Sequence, residues 1–255
     1  MPIRKRKTTT PPSSTNAVFD ELLSGIVSGR YPAGTRLPAE RELSAQLGAS
    51  RATLREALRR LEQWSLIAPR RGSGIVVRDV ATDATVDVLP AYVKAGAGGG
   101  PATARLIVDL LSLRRALVVE IVRLVGNRCP PGSLAGARTA LERAWAVRHD
   151  RDQFVREDFT LMLGVVAGAR FLPGVWMLNS LRTVYVELAT TFSHATHNAP
   201  PESYRGAYHA AFDALEAGDS LTAARHIDDY LGEHDRKMCH ALGLEFEPDT
   251  RTGGN

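Results

Sequence analysis

Two helical patterns between Pro38 and Gln63 stand only two residues apart, at Gly48 and Ala49. Pro38 suits a first helical turn, Gly48 suits a helix end, and Ser50 is an N-cap for the next helix, which runs to about Gln63. Leu54, Leu58 and Leu61 repeat at i, i+4, i+7 and form its buried stripe. An earlier helix from Asn16 carries Val18, Leu22, Leu23, Ile26 and Val27 on one side and closes at Gly29 and Pro32. Beyond Gln63, Leu66–Ala68 and Ile75–Val77 flank the tip Arg70-Arg71-Gly72-Ser73-Gly74, the pattern of a short β-hairpin. Three helices and a hairpin make the outline of a winged helix-turn-helix.

In such a unit the second helix of the pair can enter a DNA major groove, with its first residues facing the base edges. Here those residues are Ser50, Arg51, Ala52, Thr53, Leu54 and Arg55. Arg51 and Arg55 are four apart and share a face, and an arginine fork matches the O6 and N7 of guanine. Arg70 and Arg71, beside Gly72 and Gly74, let the hairpin tip approach the phosphate backbone or the minor groove closely. Arg59 and Arg60 read as solvated helix positions. The charge supports a polyanion-binding front: residues 1–80 hold 14 Lys and Arg against seven Asp and Glu, a net of +7. The whole chain is +4, which leaves residues 81–255 at −3.

The rest of the chain reads differently. Residues 1–14 form a basic arm expected to be disordered, 15–80 the DNA-binding unit, and 81–102 a linker and hinge. That linker has one short apolar segment, Val86 to Val93, and then Gly96–Pro101, which can hardly be helix or strand. From 103 to 245 there is no alternating strand pattern. Helical periodicity covers Arg105–Arg128, Ser133–Asp150, Gln153–Ala169, Val175–His194, Tyr204–Ala217 and Leu221–Leu242, punctuated by turn signals. Residues 246–255 are expected to be a disordered tail. The fold class is therefore mostly α, a winged helix-turn-helix followed by an all-helical bundle. No apolar run reaches transmembrane length and the N-terminus has no signal-peptide core, so a cytoplasmic protein is expected, without membrane contact. Cys129 and Cys239 are too few for a disulfide framework or a cysteine zinc site. No phosphate loop, nucleophile elbow, metal-binding His-Glu helix or spaced carboxylate pair marks an enzyme.

The stretch Tyr31-Pro-Ala-Gly-Thr-Arg-Leu-Pro-Ala-Glu-Arg-Glu-Leu-Ser44, with Ser50-Arg-Ala-Thr-Leu-Arg-Glu-Ala-Leu-Arg-Arg-Leu61, resembles the DNA-binding domain of the GntR transcription regulators. The resemblance implies DNA contacts from Arg41, Ser50, Arg51, Thr53, Arg55 and Gly72, to which the hairpin reading adds Arg71. It also implies a homodimer on a near-palindromic operator, controlled by a small-molecule effector.

The helical half resembles the effector domain of the FadR group of this family. In a metal-binding subgroup, a helix supplies Asp-x3-His and two later helices one histidine each. Here Asp158 is kept, but Met162, Tyr208 and Tyr230 stand at the three histidine positions, with His209 and His226 out of register, so no metal and no cofactor are expected. The fatty-acid-regulator branch matches better, through Leu110–Arg114, Glu157-Asp158-Phe159, Leu178-Asn179 with Tyr185, and Tyr230 before Glu233. That resemblance implies an acyl-CoA pocket at Arg114, Tyr185, Phe192, Tyr230, Leu231, Glu233, His234 and Met238. Departures from its pattern are Phe192, Leu231 and Met238. Arg114 either meets the ligand or pairs, buried, with Asp158. The expected activity is a repressor responding to a small acidic metabolite such as an acyl-CoA. Alternatives are a relative of the metal-dependent carboxylate sensors with altered ligands, or a ligand-independent architectural DNA binder.

Overall fold

The structure, a computed structural model, describes residues 14–72, 74–96, 101–196 and 200–245. The expected basic arm before Ser14 and the tail after Glu245 lie outside them. Contacts divide the chain between Gly98 and Gly99 into two compact units.

The first unit begins with α1 (Thr15–Val27), whose first turn is capped by the Ser14 hydroxyl accepting from the Ala17 N–H. Then come α2 (Glu40–Leu47) and α3 (Arg51–Gln63). The expected start at Pro38 moves two residues on, because Ala39 occupies the N-cap. Gly48 ends α2 in the left-handed region at φ +57°, which lets the chain turn at once into α3. The Ser50 hydroxyl accepts from the Thr53 N–H at 3.1 Å, so the cap read from the sequence is in place. Strands β1 (Ile67–Arg70) and β2 (Gly74–Val77) pair antiparallel, with Ile67 opposite Val77 and Arg70 opposite Gly74. Arg36 bridges to Val76, so the segment before α2 adds a third edge to the wing. Val18, Phe19, Leu22, Leu43, Leu54, Leu58, Leu61, Leu66 and Val77 meet in one core. Arg60, read as a solvated position, instead lies over the Phe19 ring at 3.9 Å and donates to the Asn16 side chain at 2.8 Å, tying α3 to α1.

The segment expected to be a linker is largely helical: α4 (Val80–Asp83), a 3-10 turn at Val86–Val88 and α5 (Leu89–Gly96). Val88 is buried in the first unit's core, and Val80, Ala84 and Ala91 pack against it. Residues 97–100 lie outside the described ones.

The second unit is all helix: α6 (Pro101–Val125), α7 (Ala135–Ala146), α8 (Arg151–Gly168), α9 (Leu172–Thr196), α10 (Ser203–Glu216) and α11 (Ser220–Ala241). Asp150 and Asp219 cap α8 and α11 through the Gln153 and Thr222 N–H groups. Helix α7 packs on α8, α10 on α11, and α11 on α6. Their shared core runs from Val125, Leu134 and Leu141 through Leu161 to Phe212, Ala224 and Ile227, and it also holds Tyr204, Tyr208 and Tyr230.

Candidate nucleic-acid interface and effector site

At the start of α3, Arg51 and Arg55 are exposed on one face, while Leu54, Ala57, Leu58 and Leu61 are buried behind them. Arg41, on α2, is also exposed. Arg41 and Arg51 make no ion pair among the described residues. Arg55 differs, since its Nε donates to the Glu40 carboxylate at 2.9 Å and its two terminal nitrogens are left for other partners. Ser50 and Thr53 hydroxyls lie 2.8 Å apart at the head of the helix. Their cap geometry and their expected contact with DNA thus use the same oxygens. In the wing, Arg70 and Arg71 are exposed, and Gly72 and Gly74 have φ of +74° and +76°. A side chain at Gly74 would run into the Arg36 guanidinium at 2.7 Å, whereas Gly72 has open space around it and is needed for its backbone angle alone. The result is an exposed set of guanidinium groups around one helix N-terminus and one hairpin tip, mostly without carboxylate partners.

The second unit holds its polar groups the other way. Arg114 on α6, whose side chain keeps 28% exposure, forms an ion pair with Asp235 on α11, whose carboxylate has none. The sequence left open a pairing of Arg114 with Asp158; the partner is Asp235. Asp158 instead accepts hydrogen bonds from the phenols of Tyr185, at 2.5 Å, and Tyr204, at 2.8 Å. Burial opposes the charge on Arg114. Asp235, followed by the phenols of Tyr185, Tyr230 and Tyr208, more than offsets this, and its pKa is raised. Burial, with Asp158 beside them, pushes the phenols of Tyr185, Tyr204 and Tyr208 upward, so all three stay protonated and can donate. The rings of Tyr204, Tyr208 and Tyr230 lie 5.0 to 5.8 Å apart, centroid to centroid.

Beside this cluster lies a small cleft of about 50 Å³ between α6, α8, α9, α10 and α11. Val118, Ile121, Leu161, Met162, Phe212 and Ile227 are among its walls, and Tyr208 brings the one side-chain hydroxyl. Of the residues expected to form the effector pocket, Arg114, Asp158, Tyr185 and Tyr230 come together around this ion pair. Phe192 is buried on α9. Leu231 is buried on α11, Met238 is half-buried, and the His234 Nδ1 lies 3.4 Å from Asp235. Glu233 turns outward, pairing with Lys237 at 2.5 Å and accepting from the Ser203 hydroxyl at 3.4 Å. None of these lines the cleft. The sequence reading missed Asp235 and Tyr204. For Asp235 there was a signal: it occupies the buried stripe of α11 with Ile227, Leu231 and Cys239, and a carboxylate on an apolar stripe calls for a cationic partner. Among the described residues no three metal-ligating side chains converge, and no helix is long and apolar enough to cross a membrane.

Residues 14–77 match the gntR family of bacterial regulatory proteins, and residues 109–233 match the FCD domain. The HTH-type transcriptional regulator Mce2R of Mycobacterium tuberculosis is 29% identical to the chain over 218 residues, covering 84% of this chain and 87% of that protein. A fatty acid metabolism regulator protein of Klebsiella pneumoniae is 27% identical over 201 residues, 77% of this chain and 79% of its own. The solved structure of Lar, described as controlling expression of the Listeria monocytogenes agr system, has the same fold. Its TM-score is 0.56 at 16% identity, covering 95% of this chain and all of that one.

Proposed function

The chain belongs to the GntR family of bacterial regulatory proteins, a transcription regulator with an FCD effector domain, and from that premise we propose that it is a homodimeric repressor released or retuned by a small metabolite. Each subunit places Arg51 and Arg55 against base edges in one half-site of a near-palindromic operator, with Thr53 beside them and Arg41, Ser50, Arg71 and Gly72 on the backbone. The observation that carries this reading is the exposed arginine set at the head of α3, left largely unpaired by the protein's own carboxylates. Unpaired surface cations at a helix N-terminus meet phosphates and guanine without first giving up a partner. A chain that reads chromosomal operators works in the cytoplasm.

The effector is taken up by the helical unit, and an acyl-CoA is the first candidate. Relatives named for fatty acid metabolism support it, and so does a cleft whose walls are almost wholly hydrocarbon. The acidic part of such a molecule stays outside, because the cleft offers no free cation. For the effector to control DNA binding, it has to favour one arrangement of the dimer's heads by about 1–3 kcal/mol.

The test is operator selection from a random duplex library, followed by affinity measurements with and without acyl-CoA across a salt series. Recovery of a two-fold symmetric site, tight binding to it and weakening by acyl-CoA are expected. Binding that does not distinguish the selected duplex from a scrambled one refutes sequence-specific repression. Operator binding untouched by acyl-CoA refutes that effector and leaves the repressor in place.

A further inference from the structure

Strand pairing sorts the residues of the wing onto two faces. Ile67 and Val77 stand opposite each other and are buried, and Ile75 packs on the same core, so these mark the inner face. Side chains alternate along a strand, and residues directly opposite each other share a face. Ala68, Arg70, Gly74 and Val76 therefore lie on the outer face. Arg36, which bridges to Val76, joins them there, and its neighbour Leu37 is buried as the alternation requires.

The Arg36 side chain runs along this outer face toward the hairpin tip. Its Nε lies 2.7 Å and its Nη2 2.9 Å from where a Cβ on Gly74 would stand. Gly74 is the residue directly opposite Arg70. The Arg36 guanidinium thus occupies the place of the side chain that Gly74 lacks, and so becomes the cross-strand neighbour of Arg70. Like charges opposite each other on a sheet repel. The carboxylates of this unit that form ion pairs do so with Arg30, Arg55, Arg59 and Arg78. Arg36, Arg70 and Arg71 are exposed and make no ion pair among the described residues.

Two neighbouring cations without a counter-ion, on one exposed face, call for an anion. A phosphate brings both the negative charge and the oxygens that guanidinium groups match. A base edge brings acceptors but no net charge, so it leaves the repulsion between the two arginines in place. We propose that Arg36 and Arg70 form a phosphate site on the outer face of the wing, seated over Gly74. Arg36 is then a DNA-backbone contact beyond those implied by the family resemblance, supplied by the segment before α2. The proposal rests on the reading of this unit as a DNA reader and extends it by one residue.

The experiment is fluorescence anisotropy of the full-length protein on the selected duplex and on a scrambled one of equal length, each across a salt series. Arg36→Gln removes the charge and keeps part of the stem; Arg36→Lys keeps the charge. In Arg36→Gln the slope of log affinity against log salt is expected to become shallower by about 0.9 for each subunit bound. Both duplexes are expected to lose a similar factor, about tenfold at low salt, with the melting temperature unchanged. Arg36→Lys is expected to restore the slope and most of the affinity. A wild-type slope in Arg36→Gln on both duplexes overturns the phosphate site and leaves the repressor reading standing. So does a fall in melting temperature with the slope kept, which would make Arg36 a structural residue of the wing. Weakening confined to the selected duplex, with the slope kept, moves Arg36 to a base edge and also overturns it. If the wild-type chain binds neither duplex, the site falls together with the DNA-binding reading.

Discussion

Arginine serves opposite ends in the two units. In the first, Arg41, Arg51, Arg70 and Arg71 stand in solvent without ion pairs among the described residues. In the second, Arg114 is bound to a carboxylate with no solvent exposure. An unpaired surface cation contributes little to folding and is free for an anionic partner. A buried one is held by its carboxylate, and removing either half leaves the other uncompensated. The same residue type therefore marks an exposed, unpaired surface in the head and an internally paired charge in the bundle.

The largest effect expected from breaking this contrast is on the buried side. Asp235→Ala strands the Arg114 guanidinium and is expected to lower the stability of the helical unit by about 3–5 kcal/mol, read by urea unfolding. The double replacement Arg114→Met with Asp235→Leu removes both charges and is expected to recover most of that loss. A double variant as unstable as the single one would mean that packing, not charge, dominates the site. On the exposed side, Arg51→Ala is expected to leave the melting temperature unchanged and weaken operator binding by about 1–3 kcal/mol, roughly 5- to 150-fold. Fluorescence anisotropy on the selected duplex and on a scrambled one tests this, and equal weakening on both would move Arg51 from base reading to phosphate contact. Ser50→Ala removes the cap of α3 and is expected to cost about 1 kcal/mol of stability. Because that hydroxyl is also expected to meet DNA, its effect on operator binding is expected to exceed its effect on folding. The smallest overall effect is expected for Glu40→Gln, which releases Arg55 from an exposed pair worth about 0–1 kcal/mol. Its readout is the ratio of specific to non-specific affinity. A rise in that ratio would show that Glu40 competes with DNA for Arg55; a fall would show that it aims the guanidinium.

Much of this arrangement was legible from residue order. The Ser50 cap, the Leu54–Leu58–Leu61 stripe and the glycine tip of the wing each have a local cause, and local causes can be read along the chain. The six helices of the bundle were legible too, because proline and glycine mark their ends: Cys129–Gly132 and Gly218 lie in turns, and Pro173-Gly174 falls in the first turn of α9. The partners of Arg114 and Asp158 were not. They are separated by 121 and 27 or more residues from the groups that satisfy them, and spacing cannot choose among several carboxylates and phenols that all reach a helix interior. Arg60 was misread for the same reason, since its partners Phe19 and Asn16 lie on another helix. The segment 81–102 was read as a linker because its helices are short and weakly patterned; burial of Val88 in the head's core supplies what local propensity lacks.

That packing bears on how the head can be used by itself. A fragment ending at residue 80 stops at the apparent edge of the wing yet discards Val88, and with it part of the apolar covering of the core that α1 helps to build. A portable version, for grafting onto a different sensor or for spectroscopy in isolation, should keep α4, the 3-10 turn and α5 and be joined after Gly96. The joint between reading DNA and sensing a metabolite then belongs at the glycine-rich stretch, and shuffled chimaeras cut earlier would inherit a damaged head.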